Sequence, residues 1–232
     1  RGLLMQYFNP DGTFRTDILN TMQTPALFAL RNGLLEGKAK EDMIVRLREN
    51  FWQHGNCLQT GFLGTSILLG TLTDNGMVDV AYELLFQRKN PSWLYSVDNG
   101  ATTIWERWNS YMKESGMGPR GMNSFNHYAY GVIAEWMYAT MGGIRPGAPG
   151  FSHVVLAPHA DRRPANHPSL RSQPRITWMR TKVHTPYGAI HSAWRCDSKG
   201  NYEYVFTLPR SVTYEIKIPD LTPEDKVKVH VK

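Results

Sequence analysis

At 232 residues the chain has room for one large or two ordinary domains with a sizeable core. Its net charge of +6 does not mark a nucleic-acid binder, because Lys and Arg are spread along the chain in runs of no more than two. No apolar run approaches the ~18 residues of a membrane-spanning helix, and Cys57 and Cys196 lie far apart without ligand-type neighbours, which implies neither a disulfide framework nor a metal site.

The opening RGLLMQYF has no initiator Met and no helix cap, and reads as the interior of a structured segment, so further chain is expected upstream. Thr24-Pro25 supplies an N-cap and a proline at the first helical position, with Leu27, Leu30 and Leu34 on one face. A second helix runs from about Lys40 to Trp52 on the stripe Met43, Leu47, Phe51. Phe62 to Leu72 is apolar almost all round, as suits an inner helix. Asp74-Asn75-Gly76 turns the chain into a helix carrying Met77, Val80, Ala81, Leu84 and Leu85. A last helix is expected from Phe125, through Tyr128, Ala129, Val132, Ile133, Trp136 and Met137. Between these two helices lies a long connection of little regular period, the kind of segment where chemistry is often placed.

After GGIRPGAPG the apolar period falls to two. Val154–Leu156, Ile176–Val183, Ala189–Trp194, Tyr202–Leu208 and Val212–Ile218 read as strands, with turns at Thr185–Gly188 and Asp197–Asn201. The closing KVKVHVK alternates strictly, with Val227, Val229 and Val231 on one face. The fold class expected is multidomain, α then β: a partial helical toroid over residues 1–145 and an antiparallel β-sandwich over 152–232, with Trp178 and Trp194 inside. A toroid with half its helices leaves apolar faces open, so self-association, partial disorder among the early helices or an upstream covering segment is expected.

The connection contains ATTIWERW, Ala101 to Trp108. A carboxylate between two indoles loses water on both sides and stays ionised only with a cation or hydrogen bonds beside it. Arg107 is the candidate cation. Indole faces beside a carboxylate also suit a sugar, whose C–H faces pack on aromatic rings. The plainer alternative is a buried Glu–Arg pair in a tryptophan-rich core, with Trp105 and Trp108 as packing residues.

QTGFLGT (Gln59–Thr65), LTDNG (Leu72–Gly76), PSWLY (Pro91–Tyr95), GATTIWERW (Gly100–Trp108) and GMNSFNHYA (Gly121–Ala129) occur in this order. Together they closely resemble the C-terminal part of bacterial α-L-rhamnosidases of glycoside hydrolase family 78. The resemblance covers essentially the whole chain, as the end of an (α/α)6 barrel and the following β-sandwich. It implies inverting hydrolysis of terminal α-L-rhamnose, which needs two carboxyl groups roughly 6.5–9.5 Å apart. The family's general base falls on Glu106. Its site histidine falls on His127, 21 positions further on, where a neutral imidazole would hydrogen-bond a sugar hydroxyl. Trp105 and Trp108 would line the sugar pocket; Asn123 and Asn126 read as helix-start residues.

Nothing here matches the family's segment that carries the general acid, so the acid is expected upstream and the chain by itself is expected to be inactive. The partners implied are a rhamnose-containing oligosaccharide or glycoside and the upstream part of the same enzyme, with no cofactor, no metal, no nucleic acid and no membrane. Two other readings remain open at this level. One is a sugar-binding fragment without catalysis; the other is a toroid glycosidase for a different sugar.

Overall fold

The structure, a computed structural model, describes residues 6–232, so RGLLM at the start lies outside the described residues. The chain forms two compact units, Arg1–Val132 with Arg171–Gln173, and Ile133–Leu170 with Pro174–Lys232.

The first unit is helical: α1 (Gln23–Arg31), α2 (Gly37–Gln53), α3 (Phe62–Asp74), α4 (Val78–Leu85) and the short α5 (Trp93–Asp98), followed by a two-residue antiparallel pair, β1 (Tyr111–Met112) and β2 (Gly116–Met117). α3 is its axis, packed by α1, by α4 and by a 3-10 turn over Ala129–Val132. Leu68, Leu69 and Leu72 are buried on it, and Thr65, Thr71 and Thr73 with them. Gly64 lets α1 approach. A Cβ there would fall on Thr24 Oγ1 and lie 2.8 Å from Thr60 Cγ2. α2 buries Met43, Leu47 and Phe51, and α4 buries Val80, Ala81, Leu84 and Leu85, both as their stripes require.

Two local expectations fail. Thr24 is no cap, because α1 already begins at Gln23. The buried Gln23 amide explains the earlier start: it donates to the Cys57 carbonyl at 3.2 Å and accepts from Gln59 N–H at 2.6 Å. The helix expected from Phe125 also starts late. Residues 125–128 are not helical; the chain winds as the 3-10 turn, then α6 (Ile133–Trp136), then a π turn over Met137–Met141. The reason is that His127 N–H is already spent on the carbonyl of Ile104 and Asn126 N–H on Ser124 Oγ. Tyr128, placed by period on the apolar stripe, is 88% exposed.

The second unit is the sandwich-like β region. One sheet has the order β3 (Ile144–Pro146), β4 (His153–Leu156), β8 (Thr213–Ile216); the other runs β5 (Trp178–Thr185), β6 (Gly188–Cys196), β7 (Tyr202–Leu208), β9 (Lys226–Val231). The sheets are not wholly antiparallel: β4–β8 and β7–β9 pair in parallel, while β3–β4, β5–β6 and β6–β7 are antiparallel. Val154, Leu156, Ile190, Trp194, Tyr204 and Phe206 lie in its core.

Trp194 is buried as expected, its indole donating to the Met141 carbonyl at 2.8 Å. Trp178 is not: it is 64% exposed. Trp178 stands opposite Arg195, whereas Trp194 stands opposite Met179, so strict alternation sends the two tryptophans to opposite faces.

In the proline-rich stretch that precedes β5, Arg162, Arg163 and Arg175 hold their charges inward. Arg163 grips Asp161 with Nε at 2.9 Å and Nη2 at 2.7 Å, both side chains fully buried. Arg162 pairs with Asp225 and lies 4.2 Å over the Tyr202 ring, and Arg175 donates to Tyr202 Oη at 2.6 Å. Burial pushes the Tyr202 phenol up to about 12, against the opposing pull of Arg175.

Candidate active site

The connection between α5 and the 3-10 turn folds back on itself, and its backbone hydrogen bonds define the site. Glu106 N–H donates to the Ser124 carbonyl at 2.8 Å, and His127 N–H to the Ile104 carbonyl at 2.8 Å. These bonds lay residues 104–106 beside 124–127, and the Thr103 hydroxyl adds a bond to the Phe125 carbonyl. Glu106 and His127, 21 residues apart in sequence, are thereby brought onto adjoining strips of chain.

The Glu106 carboxyl is half-buried, and its Oε2 accepts the backbone N–H of Ser124 at 2.6 Å. Oε1 accepts no hydrogen bond among the described residues. Arg107 is not the counter-charge: no ion pair among the described residues joins it to Glu106. Arg107 N–H bonds Ser110 Oγ at 3.1 Å, and its guanidinium acts electrostatically on Tyr130, whose phenol is nevertheless raised, chiefly by burial. The glutamate is therefore held by a peptide N–H rather than by an arginine. Nothing in the residue pattern signalled Ser124 beyond its presence in GMNSFNHYA.

His127 sits ahead of the helical segment rather than in its first turn. Its Nδ1 accepts from Ala129 N–H at 3.3 Å, which leaves the proton on Nε2 in the neutral ring. The imidazole is sandwiched between Phe62 (centroids 4.8 Å, planes 8° apart) and Tyr128 (5.3 Å, 8°). Sequence period had assigned Phe62 and Tyr128 to helix faces, so neither was expected here.

The two tryptophans differ in standing. Trp105 is only 7% exposed, edge-on to Phe125 at 5.2 Å and to Tyr111 at 6.5 Å, and presents no open ring face. Trp108 is half-buried, stacked on Tyr130 at 3.8 Å and edge-on to Trp93 at 5.3 Å, with its Nε1–H on the Thr60 carbonyl at 2.8 Å. Asn90 donates to the Trp108 carbonyl at 2.7 Å and Asn123 to the Ser110 carbonyl at 3.2 Å, which secures the loop from both sides. Asn123 is thus a loop tie rather than a helix cap.

Several acids upstream of Glu106 are committed elsewhere. Asp74, Asp79 and Asp98 pair with Arg31, Arg48 and Arg88, Asp42 pairs with Lys38, and Asp11 binds Thr13. Among the described residues no group of three or more His, Cys, Asp and Glu is placed to hold a metal ion, and no helix is long and apolar enough to cross a membrane.

Comparison with known proteins supplies the class. The family model of the bacterial alpha-L-rhamnosidase 6 hairpin glycosidase domain matches residues 3–141, and that of the bacterial alpha-L-rhamnosidase C-terminal domain matches residues 143–232. The helical part is thus a portion of a six-hairpin glycosidase domain. An α-L-rhamnosidase of Formosa agariphila is 42% identical over 197 residues, which are 85% of this chain and 20% of that protein. Among solved structures, the Streptomyces avermitilis α-L-rhamnosidase complexed with L-rhamnose matches with a TM-score of 0.80 at 35% identity, over 94% of this chain and 20% of that one. The Aspergillus terreus α-L-rhamnosidase matches with a TM-score of 0.81 at 28% identity, over 94% of this chain and 24% of that one. The chain belongs to the bacterial α-L-rhamnosidase family, and it spans about a fifth of the length of the curated relatives it matches.

Proposed function

We propose that this chain is the portion of an inverting glycoside hydrolase that carries the general base for releasing terminal non-reducing α-L-rhamnose from glycosides or polysaccharides. The observation that carries the reading is the Glu106 carboxyl, with Oε2 fixed by Ser124 N–H and Oε1 left to take a proton from a water. His127 Nε2–H donates to a hydroxyl of the bound sugar. Trp108 and Trp105 shape the wall behind them, Trp105 by packing rather than by direct contact. The general acid comes from the upstream part of the same enzyme and stands roughly 6.5–9.5 Å from the base, so that a water fits between base and anomeric carbon. Residues 1–145 then belong to the catalytic toroid and residues 152–232 to a separate β-domain.

The test is Glu106→Gln in the full-length enzyme, which keeps shape but removes the base. Turnover of an aryl α-L-rhamnoside is expected to fall ~10²–10⁴-fold while substrate binding survives. His127→Ala is expected to raise KM as well, because it removes a contact made in both ground and transition states. Near-normal turnover by Glu106→Gln removes Glu106 from the mechanism. Turnover by the 232-residue chain alone shows that it contains the acid. L-rhamnose binding by the chain in a titration, with a fully active Glu106→Gln enzyme, favours a binding module instead.

A further inference from the structure

The outer face of the sheet β5–β6–β7–β9 is exposed and bears charge of nearly one sign. Register places Trp178, Arg195, Glu203 and Lys226 in one row across the four strands. The next row is Arg180, Ala193, Val205, Lys228, and the third is Lys182, His191, Thr207, His230. Arg180, Lys182, Arg195, Lys226 and Lys228 give five cations against one acid, Glu203, so +4 of the chain's formal +6 stands on this face (5 − 1 = 4). Glu203 is bridged by both Arg195 and Lys228 at 2.6 Å. Arg180, Lys182 and Lys226 have no ion pair among the described residues. Asp197 and Glu224 lie beyond the first row, around a second hollow shared with Arg195, Glu203 and Lys226, and Asp197 is tied into its own turn by Lys199 and Asn201.

Between these charges lies a hollow of about 550 Å³, whose lining includes Trp178, Arg180, Ala193, Arg195, Glu203 and Val205. The lining sets the apolar Ala193 and Val205 and the exposed Trp178 beside two arginines and one acid. A face kept only for solubility mixes both signs, because like charges set side by side repel. A one-sign face with a stacking ring and apolar lining residues is matched to an anion that also has an apolar side.

We propose that this face binds an acidic polysaccharide, a chain of uronate-type sugars whose carboxylates meet Arg180, Arg195 and Lys228 while a C–H face packs on Trp178. The choice of a glycan over another polyanion rests on the glycosidase reading; the face itself does not. Nucleic acid fits less well. Duplex readout needs an element that enters a groove, and single strands stack successive bases on several aromatic rings, whereas these rows carry one.

The experiment is affinity electrophoresis of the 232-residue chain through gels containing polygalacturonate, dextran or a single-stranded oligonucleotide of equal charge, at two salt concentrations. Polygalacturonate is expected to retard the chain, less so at the higher salt, and dextran to leave it unretarded. Trp178→Ala and the pair Arg180→Gln/Lys228→Gln are each expected to weaken retention about tenfold, the scale of one lost stacking or charged contact. Lys38→Gln/Lys40→Gln on α2 should change nothing, and Trp178→Phe should recover part of the loss, which excludes misfolding as the cause. Absence of retention, equal retention by dextran, retention indifferent to the face variants, or tighter retention by the oligonucleotide overturns the proposal. The readout is binding without hydrolysis, so it stands or falls separately from the Glu106→Gln test.

Discussion

Glu106, the proposed base, and Asp225, a structural acid, are held in different ways. Glu106 accepts one peptide N–H at Oε2. Asp225, whose side chain is fully buried, accepts Tyr202 N–H at 2.7 Å, Thr222 N–H at 3.0 Å and the Arg162 guanidinium. Burial alone would raise the Asp225 pKa, but these donors outweigh it and hold the carboxyl below its ordinary value. A depressed folded pKa gives stability that is present above the unfolded value of about 4 and is lost as pH falls through the folded one. The β region is therefore expected to weaken on acidification below about pH 4, a loss that Asp225→Asn should largely remove while lowering stability at neutral pH. Asp225→Ala, which takes the counter-charge from Arg162 and leaves two peptide N–H groups without their acceptor, should cost about 3 kcal/mol at pH 7. Urea unfolding followed by near-ultraviolet circular dichroism at pH 7 and pH 3 reads both effects.

The elements were legible where period alone decides them. α2 and α4 follow their stripes, and the strands fall close to where alternation put them. Legibility failed where a backbone donor found a partner distant in sequence. Residues 125–128 carry a helical pattern, yet His127 N–H pairs with Ile104 of ATTIWERW and Asn126 N–H with Ser124 Oγ, which turns an expected helix start into the wall of the candidate site. Trp178 failed for a different reason: hydrophobic character argues for burial, while pairing register sends the side chain outward. Of the candidate site, Glu106 and His127 were named from motif, but the Ser124 contact and the stack of Phe62, His127 and Tyr128 depend on non-local pairing. At α3 the second glycine of GFLGT, Gly64, has a packing reason. Gly64→Ala gains helix propensity, worth about 1 kcal/mol, yet drives a methyl into Thr24 and Thr60, typically a cost of ~1–3 kcal/mol. A net loss of about 1 kcal/mol is expected in denaturant unfolding followed by far-ultraviolet circular dichroism; a stabilised variant would show that α1 and α3 can separate freely.

At the scale of the whole chain, the helical unit leaves large apolar side chains in water. Ile18, Val45, Trp52 and Leu63 are all exposed, Trp52 at 74% and Leu63 at 72%. Scattered exposed residues are ordinary, but this number on the early helices is not neutral for a chain on its own. The 232-residue chain is expected to self-associate, with an apparent mass that rises with concentration in sedimentation velocity. Trp52→Glu/Leu63→Glu should lower that mass toward 26.5 kDa. A strictly monomeric wild-type chain at all concentrations would mean that these side chains are harmless in water.

The two parallel strand pairs set a schedule for the ribosome. β4 is made early, but its parallel neighbour β8 follows about sixty residues later, with His153 opposite Thr213 and Leu156 opposite Ile216. β7 likewise waits for β9, and Tyr202 N–H waits for the Asp225 carboxyl. A nascent chain stopped after β7 holds the antiparallel sheet β5–β6–β7 but lacks the neighbours of β4 and β7 that complete each sheet. β4 is an unpaired edge until Ile216 has been made and β7 until Val231 has been made, so the segments carrying β8 and β9 are the ones that cover these two strands against aggregation during translation.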